Sequence, residues 1–139
     1  MWITESGLFE GVSQQTINKI AAESVIESHE EGSIIFKAGE EANFLYILIE
    51  GAMQVSALGK QNFDFTVNQP GAVMGLSALL GPFKHNTQAS AKTRVKMVKV
   101  PREIIQYVVK TYPADGVLIQ QHLMALMGQR LLDAYEYIA

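Results

Sequence analysis

The residues able to do chemistry in this chain gather between Pro70 and Val100, in the run PGAVMGLSALLGPFKHNTQASAKTRVKMVKV. A turn leads there into a short strand ending at Met74-Gly75. One helical turn follows over Ser77 to Leu80, and a polar irregular segment separates it from two further strands. Glycine lets backbone approach backbone, and a helix start presents N–H groups without acceptors of their own, so this order suits an anion. The same order also joins strands where nothing binds. His85 stands in the polar segment beside Asn86 and Thr87. Its imidazole could add a proton-dependent charge, although a loop histidine by default faces solvent.

Catalysis has no comparable basis. The sequence contains no cysteine, no HExxH pattern and no Gly-x-Ser-x-Gly elbow, and His29, His85 and His122 lack metal-ligand spacing. We therefore assign no catalytic residue and no metal ligand, and expect a protein that is not an enzyme. The missing cysteines also exclude disulfides and thiolate sites, which fits a reducing compartment.

The elements that must position these residues follow from periodicity. Ser13 caps a helix running to about Glu23, with Val12 and Ile17 as a hydrophobic staple and Ile17, Ile20 and Ala21 as its apolar stripe. At Val25-Ile26 the period changes from about 3.6 to about 2, where sheet begins. Turns are expected at Glu31-Gly32-Ser33, Lys37 to Glu40, Glu50-Gly51 and Leu58-Gly59-Lys60. Between them, Ile34 and Phe36 share a face, Phe44 to Ile49 is apolar on both faces, and Met53, Val55 and Ala57 line one side of the next strand. Phe63, Phe65 and Val67 alternate with Asp64 and Thr66. Arg94 to Val100 sets Val95, Met97 and Lys99 opposite Val98 and Val100. Short strands with glycine at the corners predict a mainly β fold, a sandwich or a jelly-roll β-barrel (double-stranded β-helix) rather than a parallel sheet, with helices packed on one end.

The chain closes with helices over 102–139. Pro101 opens the first, whose apolar side is Ile104, Ile105, Val108 and Val109, and Tyr112-Pro113 interrupts it. Asp115 then sits in the first turn of a long helix, where it complements the macrodipole. Val117, Met124, Leu131 and Ile138 recur every seven residues with Met127 and Ala134 beside them, a coiled-coil-like seam. The expectation is a parallel homodimer through Val117, Met124, Met127, Leu131 and Ala134, with Gly128 allowing a second backbone to come close.

Composition sets the outer bounds. With 139 residues, 48% of them apolar and 18% charged, the chain fits one domain over 1–139. The net charge is −3 and the only mild basic cluster, Lys92 to Lys99, reads as the solvated face of alternating strands, so no nucleic-acid partner is expected. Phe44 to Ile49 is too short to span a membrane and Val117 to Met127 is interrupted by Gln and His. Met1 to Glu5 has neither a basic opening nor a signal-peptide apolar stretch. These features predict a cytoplasmic protein.

Several of these runs together resemble the cyclic nucleotide-binding domains of catabolite-activator regulators, cyclic nucleotide-dependent kinases and cyclic nucleotide-gated channels. Leu8-Phe9, Gly32 to Glu40, Leu45 to Gly51 and Tyr112-Pro113 are similar to family markers, and Met74-Gly75-Leu76-Ser77-Ala78-Leu79 is similar to the phosphate-binding cassette. The resemblance implies a sensor or regulatory module whose ligand lies against Gly75, Leu76, Ser77, Ala78, Leu79, His85, Asn86 and Thr87. It also implies that ligand entry shifts the cassette helix and thereby the two C-terminal helices. Two departures matter. Leu76 stands where the family places a ribose-binding Glu, and either His85 or Thr87, depending on alignment across the loop, stands where it places a phosphate-binding Arg. The expected site is therefore degenerate, taking a small anion more readily than cyclic AMP or GMP, with affinity highest below a His85 pKa near 6.5. A competent receptor with unusual contacts, or a dimerisation module with a filled pocket, are the alternatives. A haem would need an axial ligand, and His85 has no second ligand to accompany it. The family's transcription factors carry a helix-turn-helix after the last helix; ending at Ala139 fits a stand-alone module or a piece of a longer one.

Overall fold

The change of period at Val25 is where the sheets begin. The computed structural model describes residues 6–57 and 63–138, the last two by their backbone alone. The Leu58-Gly59-Lys60 turn, the Met1 to Glu5 segment and the side chain of Ile138 lie outside the described residues. Among the described residues, eight antiparallel strands form two four-stranded sheets: β1 (Val25–His29), β2 (Ile34–Phe36), β3 (Phe44–Glu50), β4 (Met53–Ala57), β5 (Phe63–Val67), β6 (Val73–Met74), β7 (Gln88–Ala91) and β8 (Val95–Pro101). Their orders are β1-β8-β3-β6 and β2-β7-β4-β5, a jelly roll. Helix α1 (Gln14–Glu23) precedes the sheets, and α2 (Arg102–Thr111) and α3 (Pro113–Ile138) follow them. No helix among the described residues is long and apolar enough to cross a membrane.

β3 divides two cores, which is why it is apolar on both faces. Leu45, Ile47 and Ile49 join Val98 and Val100 of β8 in a core shared with Ile17 and Ile20 of α1 and Ile105 and Val108 of α2. Tyr46 and Leu48 point the other way, into the space between the sheets with Met53, Val55, Val95 and Met97. The helices thus cover the outer face of one sheet rather than the end of the barrel.

Ile34 and Phe36 do not share a face. A register irregularity lies between them where β2 pairs with β7. Ile34 is left 50% exposed while Phe36 is 5% exposed. A bulge adds a residue to one strand and so reverses the alternation beyond it.

Ser13 caps α1 by accepting from the Thr16 amide, and the cap is itself held from far along the chain. The Asp115 carboxylate accepts from the Ser13 amide at 3.1 Å, the Ser13 hydroxyl at 2.7 Å and the Thr16 hydroxyl at 2.6 Å. Those hydroxyls, Thr16 foremost, hold the Asp115 carboxyl below its ordinary pKa. Because the folded value is depressed, its contribution is present above the unfolded value of about 3.9 and is lost as pH falls through the folded one. Asp115→Ala should lower stability by about 1 kcal/mol near neutral pH, a modest figure because the carboxylate stays half open to water. Urea denaturation of wild type and mutant at about pH 7 and about pH 2 checks this. The gap should close in acid, and a constant gap would contradict it.

Candidate functional site

The site begins where β6 ends. Gly75 adopts φ 77°, in the left-handed region, and a 3-10 turn follows over Leu76–Leu79, one residue earlier than the sequence suggests. A Cβ at Gly75 would lie 3.0 Å from the Phe44 carbonyl oxygen, 3.3 Å from Tyr46 Cδ2 and 3.6 Å from His85 Cε1. Backbone conformation and lack of space therefore both require glycine. Ala78 N–H donates to the Gly75 carbonyl at 3.0 Å, closing the turn.

His85 is built into the wall. Its ring stacks on Phe36 with centroids 3.8 Å apart and planes 11° apart, and Phe36 in turn stacks on Tyr46 at 5.8 Å. The His85 amide donates to the Glu40 carbonyl at 2.9 Å and its carbonyl accepts from the Gly39 amide at 2.8 Å. The residue is 6% exposed, not solvent-facing. The bulge in β2 explains this, since it turns a flat ring inward where the loop passes. Burial pulls the imidazole pKa below 6.5, against the opposing pull of Glu40. At neutral pH His85 is thus a neutral hydrogen-bonding group rather than a cation. The Tyr46 phenol, buried and near Glu27 and Glu40, is pushed up to about 12 and stays neutral as well.

A cavity of about 1010 Å³ opens beside this wall. Gly75, Leu76, Ser77, His85, Asn86 and Thr87 reach it. Ala78 and Leu79 do not: Ala78 is fully buried and Leu79 packs against the helix-side core. Leu76 skirts the cavity but is 8% exposed and packs in that same core. Val55, Phe63 and Phe65 supply an apolar floor.

The remaining wall is α3, which contributes Met127, Gly128, Arg130, Leu131 and Ala134. Three expected seam residues, Met127, Leu131 and Ala134, therefore face the cavity as well, whereas Val117 and Met124 do not. Nothing lies within 4 Å of a Cβ placed on Gly128. Arg130 is the residue that sequence reasoning missed. Its guanidinium donates to the carbonyl of Val73 in β6, two residues before Gly75. A signal was present, since Arg130 is the only Lys or Arg between Pro113 and Ile138.

The other histidines are elsewhere. His29 pairs with Glu27 at 3.0 Å and the His122 ring meets the Glu10 carbonyl at 2.8 Å. Among the described residues no group of three His, Cys, Asp or Glu is placed to hold a metal.

A jelly roll with a glycine-started 3-10 turn and an apolar-floored cavity walled by a long helix is a regulator-type binding-domain architecture. Residues 26–112 match the model of the cyclic nucleotide-binding domain, and the chain belongs to that family. A CRP-like cAMP-activated global transcriptional regulator from Mycobacterium tuberculosis is 24% identical over 132 residues, covering 93% of this chain and 57% of the relative. The chain thus spans little more than half the length of that curated relative. A crystal structure of a putative cyclic nucleotide-binding protein from Geobacter metallireducens is 26% identical with a TM-score of 0.78, covering 89% of this chain and 91% of that one. A cyclic nucleotide-binding domain from Methylobacillus flagellatus is similar in fold, with a TM-score of 0.82 at 15% identity, covering 99% and 78%.

Proposed function

We propose that this chain is the non-enzymatic, ligand-sensing domain of a regulator, one domain over 1–139, whose cavity prefers a small anion to a cyclic nucleotide. The observation that carries this is the position of Leu76, packed in the helix-side core where the family's ribose-binding Glu would stand. An aliphatic side chain offers a ribose hydroxyl no acceptor, and leaving that hydroxyl desolvated and unpaired costs about 1–3 kcal/mol. No Arg follows in the loop either: His85 and Thr87 both reach the cavity, and His85 is neutral at pH 7. His85 and Thr87 then act as single hydrogen-bond partners at the anion's side, and the first amides of the 3-10 turn as donors.

Calorimetric titration with inorganic phosphate, phenyl phosphate and cyclic AMP tests the preference. Phenyl phosphate should bind best, because its ring can lie on Val55, Phe63 and Phe65 while the phosphate meets the polar wall. Tighter binding of cyclic AMP would replace this reading by that of a competent receptor with unusual contacts.

A second proposal rests on a different observation. Val117 is 51% exposed, Met124 71%, Leu131 53% and Met127 38%, an uncovered apolar seam at seven-residue spacing. We propose that a second copy covers it, forming a parallel homodimer along α3 through these residues and Ala134.

A further inference from the structure

We infer that Arg130 is the cationic ligand of this cavity, brought by α3 instead of by the cassette loop, and that an anionic ligand takes over the guanidinium now parked on the Val73 carbonyl. The inference rests on the anion-site reading above and names the group that makes it work. Among the described residues, no carboxylate pairs with Arg130. Its hydrogen bond goes to a backbone carbonyl. Burial pulls its pKa down from the ordinary value, and the charge of Asp133 offsets that only in part. A guanidinium with five N–H donors, partly withdrawn from water and facing a cavity, lacks the bidentate acceptor that suits it best. The chemistry it selects is a phosphate, sulfonate or carboxylate end group.

The cavity's carboxylates do not supply that acceptor. Asp64, Asp133 and Glu136 line it too, but all three are exposed, whereas Arg130 is partly buried. They face water, while an apolar body with an anionic end fits between the floor of Val55, Phe63 and Phe65 and the guanidinium. Because Arg130 sits on α3 and its present acceptor sits on β6, exchanging that acceptor for a ligand exchanges a protein latch between the two elements for one made through the ligand.

The experiment compares wild type, Arg130→Met, Arg130→Lys and Asp133→Asn by calorimetry with phenyl phosphate, inorganic phosphate and cyclic AMP near neutral pH, with circular dichroism as a folding check. Arg130→Met should bind phenyl phosphate at least about tenfold more weakly. Arg130→Lys should recover only part of the affinity, because an ammonium keeps the charge but not the bidentate fork, and Asp133→Asn should tighten binding severalfold by removing a competing charge. If Arg130→Met fails to fold, Asp133→Asn decides, because a misfolded protein does not gain affinity. Unchanged binding in Arg130→Met, or in Asp133→Asn where Arg130→Met does not fold, overturns the inference and leaves the anion preference intact. Wild type that prefers cyclic AMP, with that binding lost in Arg130→Met, overturns the preference and leaves Arg130 in place. Wild type that binds none of the three probes overturns both.

Discussion

Gly51→Ala should lower the melting temperature by about 10 °C, more than alanine at any other turn glycine among the described residues. Gly51 joins β3 to β4 with φ 95°, where an L-residue is strained by about 1–2 kcal/mol. The added Cβ would also lie 2.3 Å from the Arg94 carbonyl oxygen and 2.9 Å from Val95 Cγ1. Neither neighbour can give way cheaply: the first is backbone, and Val95 is 1% exposed in the core between the sheets. The turn must lift off the start of β8, for a total of about 3 kcal/mol, and at this chain length each kcal/mol is worth about 3–4 °C. Gly39 provides the comparison, because its φ is 91° but a Cβ added there would meet nothing within 4 Å. Gly39→Ala should show the conformational strain alone, a fall of about 3–8 °C. Equal losses in the two variants would mean that the close approach at Gly51 is not what its identity answers to.

Leu131→Glu should convert a dimer to a folded monomer. Covering one leucine is worth about 1.5–3 kcal/mol, and a two-fold seam loses two of them while setting two carboxylates near each other. That is a weakening of about a thousandfold or more in the dimer dissociation constant. The monomer's fold should be untouched, because Leu131 is 53% exposed in the single chain. Sedimentation equilibrium with far-ultraviolet circular dichroism reads both quantities. A wild type that sediments as a monomer at tens of micromolar ends the proposal.

What could be read in the sequence was whatever depends on local pattern. β3 is apolar on both faces because it lies between two cores, and that needs only a run of hydrophobic residues to see. Gly75 followed by a short helical turn, and the seven-residue spacing in α3, are likewise local. Illegible were the features that two distant segments make together. The bulge separating Ile34 from Phe36 is a property of the pairing with β7, and without it the stacking place of His85 could not be foreseen. The Asp115 carboxylate reads as a macrodipole partner for its own helix, yet it serves the cap of another. Arg130 escaped for the same reason: residue type marked it as the lone cation of a long helix, but only the fold brings it to Val73 and the cavity.

The cap on α1 carries a consequence for the timing of synthesis. Ser13 and the carboxylate that holds it are separated by 102 positions, and β1 finds its ladder partner in β8. At roughly 5–20 residues per second, the ribosome adds the intervening chain in roughly 5–20 s. Until then the cap lacks its carboxylate, and β1 lacks its partner until β8 has been made. The apolar stripe of α1, Ile17 and Ile20, then lacks its partners from β8 and α2, so segments translated later complete the folding of earlier ones.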